Sequence, residues 1–287
     1  MAEAATAGSL PLARRRDHIV DVLITERAPK LSASPAWPVL RPLLYGLLHY
    51  RKAREMADAI APMGGQEALD HVSDLLRVRV EVTGLERLPR AGRAVIVANH
   101  PTGIADGIAV YDALKAARPD LVFYANSDAH RVAPRLDEVL IPVEWVETKR
   151  TRERTRLTLQ MTREALEAER ALMVFPAGRL ARRAPDGVLT DKPWMPTALT
   201  VARKYAAPVV PVHVAGPWAT LFHLFDRVSP ELRDITLFHE LLNKRGRRFR
   251  IIVGHPIAPD TLGPDSTEAV KAYVERVLPV HPDGAFA

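Results

Sequence analysis

Residues Ala94–Ala98 form an unbroken apolar run, Ala-Val-Ile-Val-Ala, which the chain leaves through Asn99-His100-Pro101-Thr102-Gly103. A strand that does not alternate between apolar and polar side chains has to be covered on both faces, as a central strand of a parallel sheet is. Pro101 pushes the backbone of His100 into the extended region. The imidazole then stands at the strand's exit, on the sheet edge where α/β folds place their sites. A second run of this kind, residues 171–175, empties into Pro176-Ala177-Gly178-Arg179.

The remainder of the chain is consistent with that frame. Val78, Val80 and Val82 alternate with Arg79, Glu81 and Thr83, as in a half-exposed strand. Further strands are expected at 121–125, 139–146, 209–214 and 249–253. Helical patterns separate them at 152–169, 196–205, 230–243 and 266–278. Upstream, residues 1–30 are rich in Ala and Arg with weak periodicity. A helical pattern then runs from Pro42 to Ile60, where Pro62 and Gly64-Gly65 stop it, and a second helix follows at 66–76. The expectation is an α/β fold, with a mostly parallel sheet covered by helices on both faces over 77–287 and an N-terminal helical extension over 1–76.

Of the 287 residues, 47% are hydrophobic, enough for a sizeable core. The chain has no cysteine, which excludes disulfides, thiolate metal sites and a Cys nucleophile and fits a reducing compartment. No stretch approaches the ~20 apolar residues of a membrane span, and no apolar run after Arg14-Arg15-Arg16 is long enough for a signal peptide. A cytoplasmic protein is expected, soluble or lying on a membrane face. The formal net charge of +6 suits anionic partners. No motif supports nucleic-acid binding, and the chain holds no HExxH, Gly-rich phosphate loop or nucleophile elbow.

His100 and Asp106 are the first candidates for chemistry. Five residues separate them across a loop containing Gly103, where another group can approach the backbone closely. His100 can act as a general base, with Asp106 fixing its tautomer. Asp106 is equally placed to cap a helix, and the two roles are compatible. Asn99 is a candidate orienting group. Phe175, Pro176, Gly178 and Arg179 form a loop whose N–H groups and guanidinium can meet an oxyanion or phosphate. Arg179, Arg182 and Arg183 form a basic cluster that serves either a phosphate or solvation. The basic run from Lys149 to Arg156 reads as a solvated helix start or a landing patch for anions, and Glu144 is a weak substrate-site candidate. Trp37, Leu40, Leu43, Leu44, Leu47, Leu48 and Tyr50, with Arg41, Arg51, Lys52 and Arg54, suit an interfacial helix; packing on the chain's own domain is the alternative. Trp194, Trp218 and Phe222 are placed in the core or along an acyl tunnel.

The His-Asp motif followed by Phe175-Pro176-Ala177-Gly178 resembles the glycerolipid acyltransferase family over about residues 80–256, and most nearly its ornithine-lipid and haemolysin-like subgroup. Both share the His-Asp spacing and the Phe-Pro-Ala-Gly loop. The resemblance implies transfer of a fatty acyl group from a thioester, acyl-CoA or acyl carrier protein, to a lysolipid hydroxyl or amine. It implies no cofactor beyond that co-substrate, His100 and Asp106 as the catalytic pair, and work at an anionic membrane surface. The family's phosphatidic-acid makers carry Glu where this chain has Ala177, and Thr-Arg where it has Arg179-Leu180. That difference points toward another acceptor, such as an aminolipid. A non-catalytic membrane- or carrier-binding protein on the same fold is the alternative.

Overall fold

The computed structural model describes residues 17–144, 151–183 and 189–286. Five helices come first: α1 (Ile19–Arg27), α2 (Pro29–Ala33), α3 (Trp37–Leu47), α4 (Tyr50–Ile60) and α5 (Gly65–Leu76). Then follow β1 (Arg79–Thr83), β2 (Ala94–Ala98), α6 (Ile104–Leu114), β3 (Val122–Asn126), α7 (Asp128–Val132), β4 (Leu140–Val143), α8 (Arg152–Glu167) and β5 (Ala171–Val174). The last part comprises the short hairpin β6 (Arg182–Arg183) and β7 (Leu189–Thr190), α9 (Thr197–Lys204), β8 (Val209–Ala215), α10 (Thr220–Asp226), α11 (Pro230–Asp234), α12 (Leu237–Leu242), β9 (Arg248–Val253) and α13 (Ser266–Ala272).

Seven strands form one sheet in the order β1-β9-β8-β2-β5-β3-β4. From β8 to β4 every pairing is parallel, with β2 between β8 and β5. All five residues of β2 are buried. Ala94, Ile96 and Ala98 face a core built with α1, α4, α5, α6 and α12, whereas Val95 and Val97 face α8, α9 and α13. Burial of each Val or Ile of this strand contributes roughly 1.5–3 kcal/mol. The mostly parallel sheet between two helical layers is thus the one expected, with one refinement. β9 runs antiparallel to β8, and β1 follows β9. Residues 216–247 therefore leave β8 and enter β9 at the same edge of the sheet, the edge that carries Asn99 and His100.

The helix expected from Pro42 to Ile60 is two helices. His49 takes a left-handed conformation (φ 56°) and turns the chain between α3 and α4. α3 starts upstream at Trp37 and keeps Pro42 inside it; the missing N–H costs a hydrogen bond only at a solvent-facing position. The weakly periodic start contains α1, whose Val20, Leu23 and Ile24 form an i, i+3, i+4 buried stripe. The last helix ends in a π turn, Tyr273–Val277.

Candidate active site

Asp106 occupies the third position of α6, and its carboxylate is fully buried. Its Oδ2 accepts the N–H groups of Thr102 (2.8 Å) and Gly103 (3.1 Å), and its Oδ1 accepts the Thr102 hydroxyl. The imidazole Nδ1 of His100 lies 2.9 Å from the same Oδ2. A carboxylate already serving three donors is an acceptor to the ring, so Nδ1 carries the hydrogen and Nε2 the lone pair. Nε2 has no hydrogen-bond partner among the described residues, and the His100 side chain is 16% exposed. Asp106 is thus both a helix cap and the orienting partner of an imidazole whose other nitrogen is open. Gly103 makes this turn possible. Its φ is +107°, and a Cβ there would stand 3.3 Å from Leu180.

Phe175 stacks on the His100 ring, centroids 4.4 Å apart and planes 25° from parallel. The following turn is tight: Gly178 (φ +61°) donates its N–H to the Phe175 carbonyl at 3.0 Å, and the Pro176 carbonyl accepts from Met195 N–H at 3.0 Å. The Gly178 N–H is therefore spent within the turn. Arg179 is exposed and has no ion-pair partner among the described residues. Asn99 is engaged in the framework: its amide donates to the Val214 carbonyl (2.9 Å) and accepts the Val214 N–H (2.7 Å), stitching the end of β2 to β8.

Asp191 did not stand out in the sequence. It follows β7, and both of its oxygens lie within hydrogen-bond distance of the His100 N–H (3.1 and 3.2 Å), while Oδ2 also accepts the Trp194 indole at 2.9 Å. Its own N–H donates to Glu275 of the π turn at 2.6 Å. Burial pushes the Asp191 carboxyl up to about 6, against the lowering effect of its hydrogen bonds. No spacing pattern connects Asp191 to His100, 91 residues upstream. The Ala181 N–H completes the clasp on the His100 carbonyl at 2.9 Å.

The other candidates separate. Lys149 and Arg150 lie outside the described residues, and Arg154 pairs with Glu144 at 3.0 Å. Arg182 is half-buried: its guanidinium carbon lies 4.6 Å from the Phe222 ring centroid and its Nε 3.1 Å from Asp226. Arg183 lies over Trp218 at 4.7 Å. Phe222 and Trp194 are buried. Among the described residues no cluster of His, Asp or Glu is placed to hold a metal ion, and no helix is long and apolar enough to cross a membrane.

Residues 79–215, the span from β1 to the end of β8, match the family model described as Acyltransferase. Over that span the chain is similar to the family, and it is an acyltransferase. It is 27% identical over 221 residues to a lyso-glycine lipid O-acyltransferase of Bacteroides thetaiotaomicron, covering 75% of this chain and 79% of that protein. To a protein of the same name from Phocaeicola vulgatus it is 28% identical, covering 75% and 77%. Among solved structures it is similar to the 1-acyl-sn-glycerophosphate (LPA) acyltransferase PlsC from Thermotoga maritima, with a TM-score of 0.49, 16% identity, and coverage of 91% of this chain and 95% of that one.

Proposed function

We propose that this enzyme moves a fatty acyl group from a thioester, acyl-CoA or acyl carrier protein, to the hydroxyl of a lysolipid, with His100 as general base. The observation that carries this reading is the His100–Asp106 pair, with Nδ1 held and Nε2 open at the carboxyl end of β2. Nε2 takes the proton of the acceptor hydroxyl as its oxygen attacks the thioester carbonyl. The tetrahedral intermediate collapses, the C–S bond breaks, and the imidazolium returns the proton to the leaving thiolate. Asp106 keeps the imidazole in the required tautomer and stabilises the imidazolium. The thioester is already activated, so the enzyme needs no covalent intermediate and no cofactor.

Around this pair Phe175 forms one wall against the imidazole, while Pro176 and Gly178 shape the turn that presents Arg179 to an anionic part of donor or acceptor. The names of the two bacterial relatives favour a hydroxyl and a lysolipid with an amino-acid headgroup. Ala177, where phosphatidic-acid makers carry Glu, is in keeping with that choice. The enzyme works as a peripheral protein on an anionic membrane, on the inner face where acyl thioesters are made. Supporting this, α3 exposes Val39, Leu40, Leu43 and Leu47, with Arg41, Arg51, Lys52 and Arg54 nearby. In this reading the N-terminal extension, residues 1–76, supplies the membrane contact through α3, and residues 77–287 supply the chemistry. Purified protein incubated with labelled acyl-CoA or acyl carrier protein and a panel of lysolipids, read by mass spectrometry, tests the proposal. A diacylated product that requires His100 is expected. Acceptors left unchanged with both donors would overturn it.

A further inference from the structure

Residues 216–247 lie at the His100 edge of the sheet because β8 and β9 are antiparallel neighbours. They meet the catalytic loop directly. A Cβ on Gly216 would stand 2.7 Å from the Thr102 methyl, and Leu180, which packs on Gly103, clusters with Ala219 and Phe222. This segment is firmly built. Glu240 and Lys244 form a buried ion pair of 2.8 Å; Glu240 accepts the Phe222 N–H at 3.0 Å and Lys244 donates to the Trp218 carbonyl at 3.2 Å. The aromatic residues are thereby pinned to α12. Trp218 in turn stacks on His223, centroids 3.8 Å apart.

On that platform stand polar groups that the mechanism above does not use. Arg182 and Arg233 share Asp226, and Arg233 takes Asp234 as well. Arg182 Nη1 and His223 Nε2 are both buried with no hydrogen-bond partner among the described residues. A buried guanidinium N–H without an acceptor is costly, and an oxyanion is its strongest partner. Burial, then the positive charge of Arg182, hold the His223 imidazole down to about 4, so a neutral ring faces the guanidinium and offers it no counter-charge. Exposed Arg179 adds a further positive charge beside Arg182.

From this arrangement we infer that Arg182 and His223, seated on Phe222 and Trp218, form an oxyanion subsite that receives the anionic headgroup of the acceptor while its hydroxyl lies at His100. The inference rests on the acyl-transfer reading and adds to it the charge of the acceptor and the residues that select it. Arg182 Nη1 and His223 Nε2 each lack a partner, and a carboxylate has an oxygen to offer each of them. One guanidinium nitrogen on a ring-stacked base gives direction as well as attraction, which a surface lysine does not.

The test uses Arg182→Lys and His223→Gln with three acceptors: a lysolipid with a free carboxylate headgroup, its methyl ester, and lysophosphatidate. Losing a charge-assisted hydrogen bond is expected to lower the preference for carboxylate over methyl ester, as a ratio of kcat/KM, about tenfold in each variant. The KM of the acyl donor should move less than twofold. A donor KM that rises instead assigns the anion to the donor's phosphate and overturns the inference. Equal losses on carboxylate and ester make the cluster structural and overturn it too. A preference for lysophosphatidate lost in the same variants replaces carboxylate by phosphate and overturns the stated chemistry. Equilibrium binding of the carboxylate lysolipid and its ester, followed by tryptophan fluorescence in the His100→Ala background, separates the two proposals. If that binding discriminates while the wild type transfers no acyl group, the subsite stands and the function falls. If transfer occurs without discrimination, the reverse holds. Should Arg182→Lys fail to fold, His223→Gln carries the same comparison.

Discussion

Helices α3 and α6 are each eleven residues long and each is dominated by apolar side chains, yet α6 buries eight of its residues and α3 buries none. α6 packs on the sheet at β1 and β9 and against α5 and α12, with Leu114 fully buried and Asp106 at its start. α3 sits outside that packing, joined to α2 and α4, and leaves Val39 70% and Leu43 69% exposed. Apolar composition therefore does not say what a helix faces. What separates them is the neighbouring sequence: α6 starts from a loop that returns its backbone N–H groups to its own Asp106. α3 ends in a left-handed turn at His49 that swings the chain back toward the core and leaves α3 at the rim. One apolar face meets protein, and the other stays exposed.

The largest expected effect falls at the start of α6. His100→Ala should lower acyl transfer ~10²–10⁴-fold, the usual worth of a positioned general base. Its melting temperature should fall only modestly, because Thr102 and Gly103 still hold the buried Asp106 carboxylate when the ring is removed. Full activity in that variant would remove the chemistry from α6's side of the comparison. Asp106→Asn should lose both turnover and stability, because the same carboxylate caps the helix; the cap alone is worth about 1 kcal/mol. A rate measured beside a melting curve shows whether one group truly performs both tasks.

Truncations inside the two helices sharpen the contrast. Leu114→Ala should cost ~2–5 kcal/mol through lost burial and a residual cavity. Leu43→Ala should change unfolding free energy by less than about 0.5 kcal/mol. Similar destabilisation in denaturant titrations of the two variants would mean that α3 is packed against protein after all.

Asp191 gives a pH-dependent version of the comparison. Its carboxyl is raised to about 6 in the folded chain, above the usual carboxylate range, so protonation favours folding. Its contribution is full below the unfolded pKa and is lost as pH rises through about 6. Relative to Asp191→Asn, the wild type should gain stability between pH 7 and pH 4, by up to about 3 kcal/mol. Turnover should fall over the same range, because a protonated Asp191 no longer receives the His100 N–H and the Trp194 indole as it does when charged. Melting curves of both proteins across that range read the first effect. A difference that does not vary with pH would show that the carboxyl titrates alike in the folded and unfolded chain and that burial does not raise it.

The smallest effect concerns α3 and lipid. Wild-type protein should float with anionic vesicles and release in salt, since each basic residue near such a surface contributes ~1 kcal/mol and is screened. Leu43→Ala together with Val39→Ala should weaken that recovery without altering acyl transfer to short-chain, micellar acceptors. Equal recovery on neutral and anionic vesicles would break the assignment of α3 to a charged membrane surface.

Local chemistry made much of this molecule readable from its residues. Uninterrupted apolar runs mark β2 and β5 as central strands, because a two-sided environment leaves no reason for alternation. His100 and Asp106 are readable as a pair because the carboxylate that caps α6 needs only the three or four residues of its own loop to reach the imidazole. Other features depend on residues that meet only once the sheet is assembled. Asp191 reaches His100 across 91 residues, and β9 turns antiparallel because the segment before it stays at one edge of the sheet. Asn99 looked free for substrate, yet β8 arrives beside β2 and claims its amide. In the sequence Arg182 belongs to a basic cluster that serves either a phosphate or solvation, and Phe222 and Asp226, some forty residues on, take it into a half-buried site. Periodicity and short motifs report what a residue does with its chain neighbours. Burial, charge pairing and the placement of an exposed apolar face depend on distant segments, and those are set by how the layers close over the sheet.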